Sequence, residues 1–126
     1  MLLVPTEVRI SNIEGVGCFA TADIPKGTLV WRFEPTFDIA LSSEEYDNLP
    51  AAAKAYLERY GYETGFLPGK IILDADNARF FNHSRTPTIG GKDDTPYDVA
   101  LRDIREGEEL TEDYRTYPDQ SPQSWL

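Results

Sequence analysis

Apolar and polar positions alternate along much of this chain. Val8 and Ile10 stand among polar neighbours as in a half-buried strand, Cys18 to Ala20 forms a short apolar strand, and Leu29, Trp31 and Phe33 fall on one face of another. Between Leu41 and Gly61 the period lengthens. Ser42 with Glu45 makes a capping box, Leu41 is placed to staple against Tyr46, and Pro50 opens a second helical turn. Leu49, Ala53, Tyr56 and Tyr60 then form an apolar stripe that Gly61 ends. Strand patterning returns at Ile71 to Leu73, at Val99 to Leu101 and ahead of Tyr114. The pattern predicts a mainly β fold with a short α-helical insert over about residues 42–61.

One frame occurs twice. Asp23-Ile24-Pro25-Lys26-Gly27 and Asp103-Ile104-Arg105-Glu106-Gly107 each follow one short apolar strand and precede another, which predicts two related strand-turn-strand units. Thr86 to Tyr97, with Gly90-Gly91 and Asp93-Asp94, reads as an unstructured, mobile connection.

At 126 residues the chain has room for one domain, residues 1–126, with a tail over about 115–126 whose prolines, glutamines and serines are those of a weakly ordered segment. Twenty-two acids against twelve Lys plus Arg give a net charge of −10. That balance argues against phosphate-backbone binding, so no direct nucleic-acid partner is expected, and it favours a basic peptide or protein. Cys18 is the sole cysteine, which rules out an internal disulfide and a Cys-rich zinc site, and no metal is expected. The start lacks a basic n-region and an h-region, and no apolar run approaches a membrane span. The expectation is a soluble intracellular protein, cytoplasmic or nuclear, without a membrane partner.

Arg79-Phe80-Phe81-Asn82-His83-Ser84 carries the only histidine and sets three hydrogen-bonding side chains directly after two phenylalanines. Backbone or a ligand must satisfy them, and a locally satisfied turn meets the same demand. Glu14-Gly15-Val16-Gly17 allows close backbone approach or positive φ, as tight turns also require. Asp74-Ala75-Asp76-Asn77 lacks the glycine and distal glutamate of a calcium loop, so turn and cap duty is expected of it. Near the end, Glu112-Asp113-Tyr114 presents a phenol at a strand terminus.

Taken in order, Gly15-Val16-Gly17-Cys18-Phe19-Ala20, Leu73-Asp74-Ala75, Arg79-Phe80-Phe81-Asn82-His83-Ser84 and Gly107-Glu108-Glu109-Leu110-Thr111-Glu112-Asp113-Tyr114 resemble the SET-domain protein-lysine methyltransferases, from about Val8 to Tyr114. The resemblance implies a β-clip fold of small curved sheets whose C-terminal segment threads into a pseudoknot beside Asn82 and His83. It implies S-adenosyl-L-methionine against Gly15, Val16 and Gly17, with Arg79, Asn82 and His83 nearby. The target lysine would enter from the opposite face, with Tyr114 at the neck of a joining channel.

In-line methyl transfer requires mainly alignment and a neutral amine, and neutralising a free lysine at pH 7 costs about 4.6 kcal/mol. Tyr114 is expected to orient the amine through its hydroxyl rather than act as a strong base. Arg85 stands where many relatives have a cysteine, and no later cysteine supplies their C-terminal zinc module. Tyr117 or Trp125 is expected to close the channel instead, simple docking of Trp125 being the alternative. Glu112 occupies a position often aromatic in relatives, and the upstream channel tyrosine is Tyr60 or Tyr62. The alternative to an enzyme is a catalytically inactive SET-like protein-interaction module. A homodimer is also open, with Trp31 or the helical insert as an interface or as core.

Overall fold

The computed structural model describes residues 1–91 and 95–114. Strands β1 (Thr6–Ile10), β2 (Val16–Ala20), β3 (Leu29–Arg32) and β4 (Ile39–Ser42) precede helices α1 (Ser43–Asp47) and α2 (Ala51–Tyr60). Then come β5 (Lys70–Leu73), a 3-10 turn (Asn77–Phe80), β6 (Asn82–His83), β7 (Ile89–Gly90), β8 (Tyr97–Ala100) and β9 (Glu109–Glu112). They form small sheets in the orders β1-β2-β9-β6, β3-β8-β7 and β4-β5. The fold is mainly β, as the alternation predicts. Among the described residues no helix is long and apolar enough to cross a membrane.

The repeated frame organises the body. β2 pairs antiparallel with β9 and β3 with β8, so the two strand-turn-strand units lie against each other. At their centre Ile24 and Ile104 exchange backbone hydrogen bonds of 2.7 and 2.8 Å, and both side chains are buried. Each aspartate caps the opposite turn: Lys26 N donates to Asp103 Oδ1 and Glu106 N to Asp23 Oδ1, both at 2.8 Å. Gly27 and Gly107 close these turns at φ +85° and +90°, where a side chain would be strained. Cys18, Val30, Ile89, Ile104 and Leu110 are fully buried in the core shared by the units.

The capping box forms as expected, with Glu45 N on Ser42 Oγ at 3.1 Å and Ser42 N on Glu45 Oε1 at 2.9 Å. The stripe of α2, however, is rotated from the expected one. Leu57 is its buried residue, whereas Tyr56 is exposed and Tyr60 half-buried, because α2 packs on the narrow β4-β5 pair. Gly61 ends the helix in extended conformation, and it is glycine for closeness: a Cβ would lie 2.7 Å from the Leu57 carbonyl oxygen.

Three further expectations need correction. Val8 and Ile10 are both exposed, Ile10 to 86%, because β1 is an edge strand whose second half runs out past the core. A bulge between Leu29 and Trp31 breaks their common face, leaving Leu29 exposed while Val30 and Trp31 are buried. Trp31, 4% exposed, therefore belongs to the core and is no interface residue. The connection from Thr86 to Tyr97 contains β7, which pairs with β8 and buries Ile89 completely.

Strand β9 is the element that joins the two halves of the motif. β9 lies between β2 and β6, pairing in parallel with β6 through Asn82 opposite Thr111 and His83 opposite Glu112. Ser84 N on Glu112 O at 2.8 Å and Thr88 N on Thr111 O at 3.1 Å extend that contact.

Candidate active site

The parallel pairing of β6 and β9 carries the chain into Tyr114 beside His83. Tyr114 N donates to His83 Nδ1 at 3.0 Å, and the two rings lie 5.3 Å apart. The Tyr114 hydroxyl donates to the Phe81 carbonyl. Burial, then the nearby carboxylates of Glu112 and Glu14, holds the phenol well above the ordinary tyrosine range, with Arg59 opposing. At neutral pH Tyr114 is therefore a protonated hydrogen-bond donor.

Tyr114 forms part of the walls of two cavities. The larger, about 290 Å³, is lined by Glu14, Gly15, Val16, Arg59, Tyr60, Arg79, Phe80, Phe81, Asn82 and Tyr114. Gly15 sits at φ +50°, and the loop is braced from below by Asn82, whose Nδ2 contacts Glu14 O at 3.2 Å, Val16 O at 3.1 Å and Glu109 Oε2 at 2.8 Å. Gly17 and His83 line neither cavity. They act from behind the wall: a Cβ on Gly17 would be driven into the Glu109 carboxylate, and His83 holds the Tyr114 backbone. Arg79 is fixed by Nε on Asp74 O at 3.0 Å and by Nη1 on the Tyr56 hydroxyl at 2.6 Å. Tyr60 meets Phe80 edge to face at 5.5 Å, which gives this cavity a planar aromatic border.

The smaller cavity, about 60 Å³, shares Arg59, Tyr60, Arg79, Phe81 and Tyr114 with the first and adds Tyr62, Asp74, Asp98, Glu112 and apolar neighbours. Of the two candidate channel tyrosines, Tyr60 borders both cavities and Tyr62 the smaller alone. Tyr62 donates its hydroxyl to Asp74 Oδ1 at 2.8 Å. Burial pushes the Asp74 carboxyl up to about 7, opposed by that bond and raised further by Asp38. Burial likewise pushes Asp98, opposite Trp31 in the β3-β8 register, up to about 7. Tyr117 and Trp125 lie outside the described residues.

Sequence reasoning missed these two carboxylates as site residues. The cap duty expected of the 74–77 stretch falls to Asp76, which accepts from Ala78 N at 3.1 Å and Leu2 N at 2.7 Å. Asp98 stands two residues from Ala100 in a strand, and both are buried. An acid in phase with buried apolar positions was the available signal.

The model of the SET domain family matches residues 15–115. No curated protein sequence matches the chain. Among solved structures, the chain is similar to a Plasmodium falciparum protein provisionally designated a histone methyltransferase, at 19% identity and TM-score 0.58, over 90% of this chain and 95% of that one. It is also similar to a humanized mutant of the Chaetomium thermophilum Polycomb Repressive Complex 2 bound to an inhibitor, at 23% identity and TM-score 0.64, over 92% of this chain and 16% of that one.

Proposed function

The chain belongs to the SET-domain family, and from that premise we propose that it transfers a methyl group from S-adenosylmethionine to the side-chain amine of a lysine in a basic protein. The observation that carries this reading is the shared wall: Tyr114, Phe81 and Arg79 border both cavities, so a donor in one and an amine in the other would meet at a single phenol.

The larger cavity suits the donor. Open backbone at Gly15 and Val16, the Tyr60 and Phe80 rings, and the guanidiniums of Arg59 and Arg79 match a flat heterocycle and a carboxylate, while Glu14 matches an amine. When bound, the cofactor supplies an electrophilic methyl on a sulfonium. Arg79 and the Asn82-braced loop would hold it, and Tyr114 would orient the amine with its protonated hydroxyl. Alignment in a closed space supplies most of the rate.

The net charge of −10 and the designation of one structural neighbour both support a basic, histone-like substrate. The test incubates purified protein with labelled S-adenosylmethionine and a panel of basic proteins, with cofactor binding measured by calorimetry. Transfer to lysine is expected. No transfer to any protein, together with no cofactor binding, would leave an inactive interaction module standing in its place.

A further inference from the structure

The smaller cavity holds polar chemistry that alignment alone leaves unused. Asp74 and Asp98 in its wall are 4% and 5% exposed. Trp31 and Thr64 belong to the same wall, and among the described residues Trp31 Nε1 and Thr64 Oγ1 are buried without a hydrogen-bond partner. Leaving a buried donor unmade costs about 1–3 kcal/mol. Two carboxylates and two orphaned polar atoms around one space therefore point to a polar occupant beside the aliphatic stem of lysine.

We propose that Asp98 and Asp74 are the proton acceptors for the substrate amine, reached through water held by Trp31 Nε1 and Thr64 Oγ1. The inference rests on the reading of the protein as a lysine methyltransferase. One N–H bond of the ammonium breaks, the nitrogen keeps the electron pair, and a carboxylate oxygen takes the proton. A +1 and a −1 become two neutral groups, which a dry cavity favours. The freed lone pair is the nucleophile, and the carboxyl returns its proton to solvent after product leaves.

Burial keeps both carboxyls at about 7, low enough to be substantially ionised at physiological pH and high enough to retain a proton. The charged groups facing them are Arg59 on α2, Arg79 on the 3-10 turn and Glu112 on β9. Asp38 and the amino terminus, paired at 2.9 Å, act on Asp74 from behind, and the amino terminus acts on Asp98 as well. Asp76, two residues along the chain, also raises Asp74, and the phenols of Tyr60, Tyr62 and Tyr114 complete the titratable neighbours in the wall.

The test is the pH dependence of kcat/KM for a lysine peptide, in wild type and in Asp74→Asn, Asp98→Asn and the double variant. Cofactor affinity is measured alongside by calorimetry. With internal acceptors, wild type levels off above about pH 7 and stays level toward the lysine pKa near 10.4. The double variant, dependent on amine neutralised in solution, climbs about tenfold per pH unit and is at least about tenfold slower at pH 7.5, with unchanged cofactor affinity. A deficit independent of pH would mark a structural role and overturn the proposal. So would a wild-type rate that itself climbs tenfold per unit between pH 7 and 9, a result that needs no variant to fold. Wild type with neither cofactor binding nor transfer would instead remove the methyltransferase reading itself.

Discussion

The two buried acids should be visible in folding stability before any substrate is added. For Asp98 the carboxyl moves from 3.8 to about 7 on burial. A raised folded pKa means the native state binds more protons than the unfolded chain between those values. Stability is therefore fully present below about pH 4 and falls as pH rises toward 7, then levels off. At 1.36 kcal/mol per pH unit the loss from one such group is of the order of 4 kcal/mol, a large part of the 5–15 kcal/mol typical of a whole domain. Asp98→Asn removes the titration while keeping the shape.

Urea unfolding of both proteins at intervals from pH 4 to 8 measures the difference. Near-equal midpoints are expected at pH 4, and at pH 8 the variant is expected to be more stable by up to about 4 kcal/mol, less whatever the carboxamide loses in unmet hydrogen bonds, with equal m-values. Glu45 and Glu108 run the opposite way, since hydrogen bonds hold their carboxyls below the usual range. Their contribution starts to be lost only below about pH 4.5, at the acid edge of the window, and it is common to both proteins; Glu45 is exposed and Glu108 half-buried. An Asp98→Asn variant destabilised equally at both ends would refute the assignment of a desolvated carboxyl.

Tyr114→Phe removes one hydroxyl from the wall between the cavities and should keep cofactor affinity while lowering kcat by about a hundredfold or more, read by single-turnover transfer. Asn82→Ala strips the braces from the Glu14 and Val16 carbonyls and should cost about 1–3 kcal/mol in unfolding free energy and weaken cofactor binding by calorimetry. Gly17→Ala forces a methyl into the Glu109 carboxylate and should cost a similar amount, about 1–3 kcal/mol by overpacking, in thermal or urea melts. Raising salt from 0.05 to 0.5 M should raise KM for a basic substrate by screening the acidic surface while leaving the shape of the kcat pH profile unchanged.

Much of this molecule was legible because local chemistry and tertiary structure agree. The capping box at Ser42, the turn glycines at Gly27 and Gly107, and the repeated aspartate frame are each forced by backbone geometry that the sequence states directly. The motif residues Arg79, Asn82 and Tyr114 come together because β9 pairs with β6. What failed depended on neighbours. Ile10 looks like a core residue until β1 proves to be an edge, and the face of α2 is chosen by the narrow sheet it meets. The spacing between Leu29 and Trp31 concealed a bulge. Asp74 and Asp98 escaped notice because aspartate reads as turn or surface, and their burial is decided by strands far away in the chain.

The reciprocal turns explain why so small a body can hold buried charge. Asp23 and Asp103 each satisfy the other unit's turn amide, and Ile24 and Ile104 lock the crossing, so the registers of β2 with β9 and β3 with β8 are fixed together. The first register carries β9 to Tyr114; the second sets Asp98 opposite Trp31 at the smaller cavity. Phenol and carboxylate thus reach the same space from the two halves of one paired frame. The ionised carboxylates destabilise the fold at the pH where they would accept a proton, and the apolar crossing at Ile24 and Ile104, away from that cavity, offsets the cost. Stability and proton capture then draw on different parts of the structure, which lets the site keep groups that packing alone would replace with leucine.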